Sequence, residues 1–387
     1  MMISATVRLV ELLAPTPHPT RVYRVQLHYR DLVLATLISK ASFQVDAKDA
    51  VRPVEDPLDI NEGDVETPLG ILENDVLPIK EGCDFAIYGP AVSAKGALEQ
   101  MDVIVKVGTW ARTLRVTGDR AWIPRMSGVT VSKTIPFVNM PLDYSRAFGG
   151  KAIHPSEVEA TEPNNPLGRG WSLSASNAVG TRLPNVEEVD QRITKWNQTA
   201  MPASLLPLPR TSALRGTRGI DVNLEKGTTK FTPLAFTSSH PRMHLPGFPA
   251  GAPISIVGLS DRPWQFHLPS LSLSAEITLG QNRHCLRLTP DTLCMVPSQR
   301  RFWIVYRRAF VYQFRPERLR QIRILQADST SHDTSTTTIA KELGSASPIV
   351  HIESPDAPEN MPIPWDTLRE VYPLTDIIEN LPLLASS

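Results

Sequence analysis

Cysteine is scarce: three residues in a chain of 387, too few for a disulfide scaffold, and Cys83, Cys285 and Cys294 include no close pair at metal-ligand spacing. Each reads as a reduced, buried thiol, with Cys285 and Cys294 able to face each other across adjacent strands. Neither charge sign is in excess, since 40 Lys and Arg offset 40 Asp and Glu. Nucleic-acid binding rests on a basic excess or patch, so no nucleic-acid partner is expected. No run approaches the roughly 20 apolar residues that cross a bilayer, and the N-terminus lacks the basic start and apolar stretch of a signal peptide. A cytoplasmic protein without membrane insertion is the resulting expectation.

Signatures of familiar chemistry are missing as well. There is no Gly-x-Ser-x-Gly element to hold a nucleophile on a sharp turn. Gly168-Arg169-Gly170 lacks the third glycine and the strand-to-helix setting of a phosphate cradle. His240 and His244 have the i, i+4 spacing of helical metal ligands, yet Pro241, Pro246, Gly247 and Pro249 argue against a helix, so both read as loop-packing residues. Glu187, Glu188 and Asp190 could be paired carboxylates of a glycosidase, but acids opening a helix over 186–196 explain them more simply. No enzyme and no cofactor is expected.

Proline is abundant, 35 against 21 glycines, which favours short strands joined by long loops. Residues 22–30 alternate, with Tyr23, Val25, Leu27 and Tyr29 on one face and Arg24, Gln26, His28 and Arg30 on the other, suiting an antiparallel sheet with one wet face. Strands at 32–38 and 41–45 follow. Residues 102–107 and 110–116 form a hairpin around Gly108-Thr109, placing Trp110, Leu114 and Val116 in the core. A second β-rich stretch begins near Pro253: 271–279 alternates, and strands are expected at 284–288, 293–296, 302–306 and 310–314. The run 302–306 is apolar on both faces and reads as central.

The expected fold is mainly β, with antiparallel sheets in a sandwich-like arrangement, long irregular loops and few short helices. The body spans 1–326, β-rich over 1–123 and 251–326 with a loop-rich middle over 124–250, a length of loop that is usually functional or disordered. Residues 327–347 read as a flexible linker. Residues 348–387 form an acidic docking tail in which Trp365, Leu368, Tyr372, Ile377 and Ile378 are the apolar candidates. Arg300, Arg301, Arg307, Arg308, Arg315, Arg318, Arg320 and Arg323 precede the linker, so the tail is expected either to fold back on that basic face or to reach a partner.

The most distinctive feature is a spaced series of turn-rich motifs. Gly118-Asp119-Arg120-Ala121-Trp122 follows a strand directly, so Gly118 can supply a positive φ and Asp119 can bond the turn. Arg120 is expected to pair with Asp119 or stack on Trp122. In Tyr144 to Gly150, Arg146 and Phe148 anchor the loop and Gly149-Gly150 allow a sharp exit. Asn165-Pro166 restricts the chain further, and Trp171, Asn185 and Glu187 complete the set. The candidates for partner contact or loop clamping are therefore Asp119, Arg120, Trp122, Tyr144, Arg146, Phe148, Asn165, Trp171, Asn185 and Glu187.

With Asp84-Phe85-Ala86-Ile87-Tyr88-Gly89-Pro90-Ala91 and Met140-Pro141-Leu142, these motifs stand in the order of one bacterial family, and the chain resembles it from Asp84 to Phe310. The family comprises the adaptors, first catalogued as a domain of unknown function, that load toxins onto the type VI secretion spike. The segment 202–221 departs from the family's aromatic-rich pattern. The resemblance implies a cytoplasmic chaperone whose partners are a toxin effector with a PAAR-like domain and the spike protein. Two alternatives remain open: a β-sandwich carbohydrate-active enzyme or lectin, with a pocket at Trp171 or Trp196, and a structural subunit of the secreted particle.

Overall fold

A computed structural model describes residues 3–8, 18–27, 32–153, 159–223, 228–279, 281–313, 319–328 and 383–384. The protein is mainly β. Its largest sheet has nine strands, in the order Ile3–Arg8, Thr20–Leu27, Leu32–Val45, Arg301–Gln313, Thr289–Val296, Cys83–Ile87 and His244–Leu245, with Val51–Pro53 and Leu383–Leu384 pairing off this path. The N-terminal and C-terminal thirds therefore share one sheet. Pairing is antiparallel except between Thr289–Val296 and Cys83–Ile87 and between Arg301–Gln313 and Leu383–Leu384. A five-stranded antiparallel sheet runs Val186–Glu188, Trp110–Thr117, Gln100–Val107, Pro253–Val257 and Trp264–His267, and a three-stranded one runs Asn282–Arg287, Leu271–Leu279 and Leu319–Asp328.

Period-2 alternation sorts the large sheet's residues onto two faces. Phe43, Phe85, Ile87, Leu293, Met295, Phe302 and Ile304 point to one side and share a core with Val103, Val105, Leu114, Ile256, Leu273 and Ile277 of the two smaller sheets. Phe302 stacks on Phe266 of the five-stranded sheet at 5.1 Å between ring centroids, which locates the sandwich interface. The opposite face carries Ile38, Ala86, Tyr88, Cys294, Trp303 and Val305, covered by Ile60, Val76, Leu69, Leu72 and Leu206 from loops. Val22 and its neighbour Tyr23 are both buried, so at this end of the strand neither face is wet.

Other expectations are corrected. The strands placed at 32–38 and 41–45 are one continuous strand, Leu32–Val45, and those at 302–306 and 310–314 are one strand, Arg301–Gln313, paired residue for residue. Residues 186–188 form a strand instead of opening a helix. Cys285 is exposed and lies opposite Glu276, while Cys294 is buried opposite Trp303 and Ala86, so the two thiols do not face each other. Among the described residues, no helix is long and apolar enough to cross a membrane.

Of the tail, only Leu383–Leu384 is described, lying parallel to Val311 and Tyr312. The expected linker starts too early, because Ala327 and Asp328 pair with Ser272 and Leu271 in the strand Leu319–Asp328; residues 329–347, Trp365, Leu368, Tyr372, Ile377 and Ile378 lie outside the described residues. Three of the basic residues proposed to attract the tail already face acids of the body: Arg300 pairs with Asp49, Arg307 with Asp291 and Arg323 with Glu276.

Candidate functional site: a clamped knot of loops beside an open sheet edge

The motif residues converge on the end of the Trp110–Thr117 strand. Asp119 Oδ1 accepts from Arg146 Nη1 and from Asn185 Nδ2, both at 3.0 Å, and Arg169 Nη1 donates to Asn185 Oδ1 at 3.1 Å. Asn185 Nδ2 also donates to Thr117 O at 3.0 Å. The Asp119 turn is thus bonded by side chains from two distant loops, not by Arg120, its expected partner. Arg120 instead reaches Glu187, Nη2 to Oε2 at 2.5 Å, and neither stacks on Trp122 nor pairs with Asp119. Trp122 joins Phe148, Ala178, Leu183 and Ile193 in a small core against which Trp171 and Trp196 pack. Both half-buried tryptophans therefore support loops.

Asn165 is fully buried and ties its loop to the Tyr144 turn. Its Nδ2 donates to Tyr144 O at 2.8 Å and Phe148 O at 2.9 Å, and its backbone oxygen accepts from Gly150 at 2.9 Å. Asp143 caps the short 3-10 turn Tyr144–Arg146, and the Tyr144 hydroxyl donates to Leu206 O at 3.3 Å. Gly149 sits at φ 143°, and a Cβ there would lie 2.2 Å from Asn165 O. Gly118 is required for a different reason than expected. Its φ is not positive, but a Cβ would lie 1.9 Å from Ile135 O, so the constraint is close approach of two backbones.

Glu187 and Glu188 are adjacent in a strand and point to opposite sides. Glu187 serves Arg120 and accepts the Ile193 N–H at 2.7 Å, yet burial still raises its pKa above the ordinary value against the pull of Arg120. Glu188 takes Arg112 on one oxygen and Arg242 on the other, and Arg242 also spans both oxygens of Asp190, at 3.0 and 3.1 Å. Arg112 and Arg242 were not among the residues singled out from sequence. Arg112 had a visible signal, because it stands in the buried phase of its strand between Trp110 and Leu114. Arg242 had none, since it lies 54 positions from Glu188.

A second polar centre lies on the loop-covered face of the large sheet. Lys40 Nζ bonds Asp75 Oδ2 at 2.8 Å, Lys80 Nζ bonds Asp84 Oδ2 at 2.8 Å and Thr292 Oγ1 at 3.1 Å, and Arg307 pairs with Asp291. Asp291 occupies a β-bulge, which turns the acid towards Arg307. Ser238 and Ser239 donate to the two Asp84 oxygens, and His244 Nδ1 stands 3.5 Å from Oδ1. Burial pushes the Asp84 pKa up, but Lys80, His244 and Ser239 together hold it well below the ordinary value. For Asp291 burial outweighs Arg307 and its pKa is raised. The space among these groups is about 20 Å³, room for roughly one water molecule. Sequence reading missed this centre, although Lys40 and Asp84 each interrupt an apolar strand.

His240 is buried at the start of the 3-10 turn Pro241–Met243 and accepts the Arg242 N–H on Nδ1 at 3.0 Å. Burial, with the charge of Arg112 nearby, lowers its pKa to about 2, so it stays neutral. His244 belongs to the Asp84 centre, so the pair does not act together. Among the described residues, no group of three His, Cys, Asp or Glu is placed to hold a metal ion. The knot's ionisable groups bond one another, an arrangement that fixes irregular backbone.

A mainly β sandwich with a loop surface clamped by internal ion pairs is the class of protein that this geometry defines. The chain belongs to DUF2169, a family of uncharacterized proteins conserved in bacteria, whose match over residues 31–307 takes in the knot and the buried polar centre. Neither the curated proteins nor the solved structures gave a match.

Proposed function

We propose that the chain is a non-enzymatic adaptor that binds a toxin effector through its PAAR-like domain and, from the cytoplasm, loads it onto the type VI secretion spike. The carrying observation is the convergence of the motif series. Asp119, Arg120, Arg146, Asn165, Asn185 and Glu187 come from four separate segments, and they hold irregular backbone rigid through mutual bonds. A preorganised loop surface suits protein recognition, because its ordering entropy is already met before the partner arrives. The same motifs carry the similarity to the adaptor family.

Co-expression with a tagged PAAR-like toxin from the same genome tests the reading. The toxin should bring down the adaptor from cell lysate, and the secreted fraction should lack it. Stoichiometric adaptor in the secreted particle would make it a structural subunit instead, and failure to associate with the toxin would remove the loading role.

A further inference from the structure

The Trp110–Thr117 strand is paired along its whole length by Gln100–Val107 on one side, but Val186–Glu188 covers only residues 114–116 on the other. Two hydrogen bonds establish which peptide groups point outward. The Thr117 N–H donates to Asn185 O at 2.8 Å, away from Gln100–Val107, and the Gly108 N–H donates to Pro253 O at 2.9 Å, away from the hairpin partner. Since peptide groups alternate in direction, those of Thr117, Arg115, Thr113 and Ala111 all face outward. Glu187 answers Arg115, and among the described residues no strand lies beside 110–113 on that side. Instead there is an open groove of about 480 Å³ lined by Trp110, Ala111, Thr113, Val189 and the Arg112–Glu188–Arg242–Asp190 ion-pair cluster.

We infer that this edge receives an extended segment of the toxin effector by strand addition, in line with Val186–Glu188. The inference rests on the loading function proposed above. Outward peptide groups recognise an extended backbone, not a helix or a small molecule. The two cations and two anions of the groove neutralise each other, which suits an uncharged segment. Half-buried Trp110 and exposed Val189 offer apolar contact to its side chains. A second copy of this chain fits poorly. Antiparallel pairing about Arg112 would place the other copy's residues 108–110 where Val186–Glu188 already pairs.

Hydrogen exchange of the full chain, with and without the recombinant PAAR-like toxin, is the test, together with Ala111→Pro. That substitution removes an outward N–H, which an edge strand tolerates. Toxin binding should slow exchange at Ala111 and Thr113, and Ala111→Pro should weaken binding roughly tenfold with an unmoved melting transition. If Ala111→Pro melts early, Val189→Lys at the groove wall replaces it, with the same loss expected. Toxin that binds both forms equally and leaves these amides unprotected overturns the edge while the loading function stands. Toxin that does not bind at all overturns both. Protection that grows with the chain's own concentration, without toxin, assigns the edge to a second copy and overturns the proposal.

Discussion

Arg120 and Glu187 are 67 positions apart in the chain, and their side chains meet at 2.5 Å inside the knot. The ion pair joins the turn after the Trp110–Thr117 strand to Val186–Glu188, and both side chains are almost fully buried. Removing one partner leaves the other charge buried and unpaired. Arg120→Ala should therefore cost about 3–5 kcal/mol in urea unfolding, and Arg120→Leu combined with Glu187→Leu should recover most of it. An unchanged unfolding midpoint with lost toxin binding would make Arg120 a contact residue instead of a clamp.

Backbone crossings predict a graded response at three glycines. Gly149→Ala and Gly118→Ala place a Cβ 2.2 Å from Asn165 O and 1.9 Å from Ile135 O, respectively, whereas Gly216, in the helix Ala213–Gly216, has nothing within 4 Å. The first two should lose more than about 1 kcal/mol, while Gly216→Ala should gain about 0.4–1 kcal/mol by restricting the unfolded chain. Melting temperatures of the three variants decide it; equal shifts would refute the crossing geometry.

The Asp84 centre predicts an acid limb of stability. Its carboxyl titrates in the fold well below the ordinary value of 3.8, so the unfolded chain takes up the proton first as pH falls. Stability present above about pH 4 is therefore lost as pH drops towards the folded pKa. Asp291 and Glu187 are raised, so their contributions run the other way and make the limb shallower. Denaturant midpoints measured from pH 6 down to about pH 3 should fall in the wild type and fall less in Asp84→Asn, which also starts lower because Lys80 loses its partner. Parallel curves for the two proteins would exclude Asp84 as the titrating group.

Thiol chemistry should separate the cysteines. Cys285 is exposed, whereas burial raises Cys83 well above its ordinary value and pushes Cys294 up to about 12. A thiol reagent at pH 8 should label Cys285 rapidly in the folded chain and reach the other two only on unfolding. Rapid native labelling of Cys83 or Cys294 would contradict their burial in the sheet.

Much of the sheet was legible because burial and period-2 alternation leave the same trace in sequence. The hairpin around Gly108-Thr109 and the strand Leu271–Leu279 emerge at their expected places. The errors share a cause. The two long strands read as two short ones each, and Ser39-Lys40 and Arg307-Arg308 stand at the breaks; Lys40 and Arg307 are buried and neutralised by Asp75 and Asp291, which lie outside their own strands. Glu187 and Glu188 looked like the acidic start of a helix because the arginines that neutralise them lie elsewhere in the chain.

By itself, the sequence determined the mainly β class, the alternation of strands such as Leu271–Leu279 and the positions of the turn-rich motifs, since these follow from local sterics and from alternation. Only the tertiary structure decided which charges pair, that Gly118 answers a backbone crossing, and that, among the described residues, half of the Trp110–Thr117 strand has no partner on its outer side. Each of these depends on groups brought together from positions far apart, and no local pattern records which distant partner a buried charge or an outward peptide group will meet.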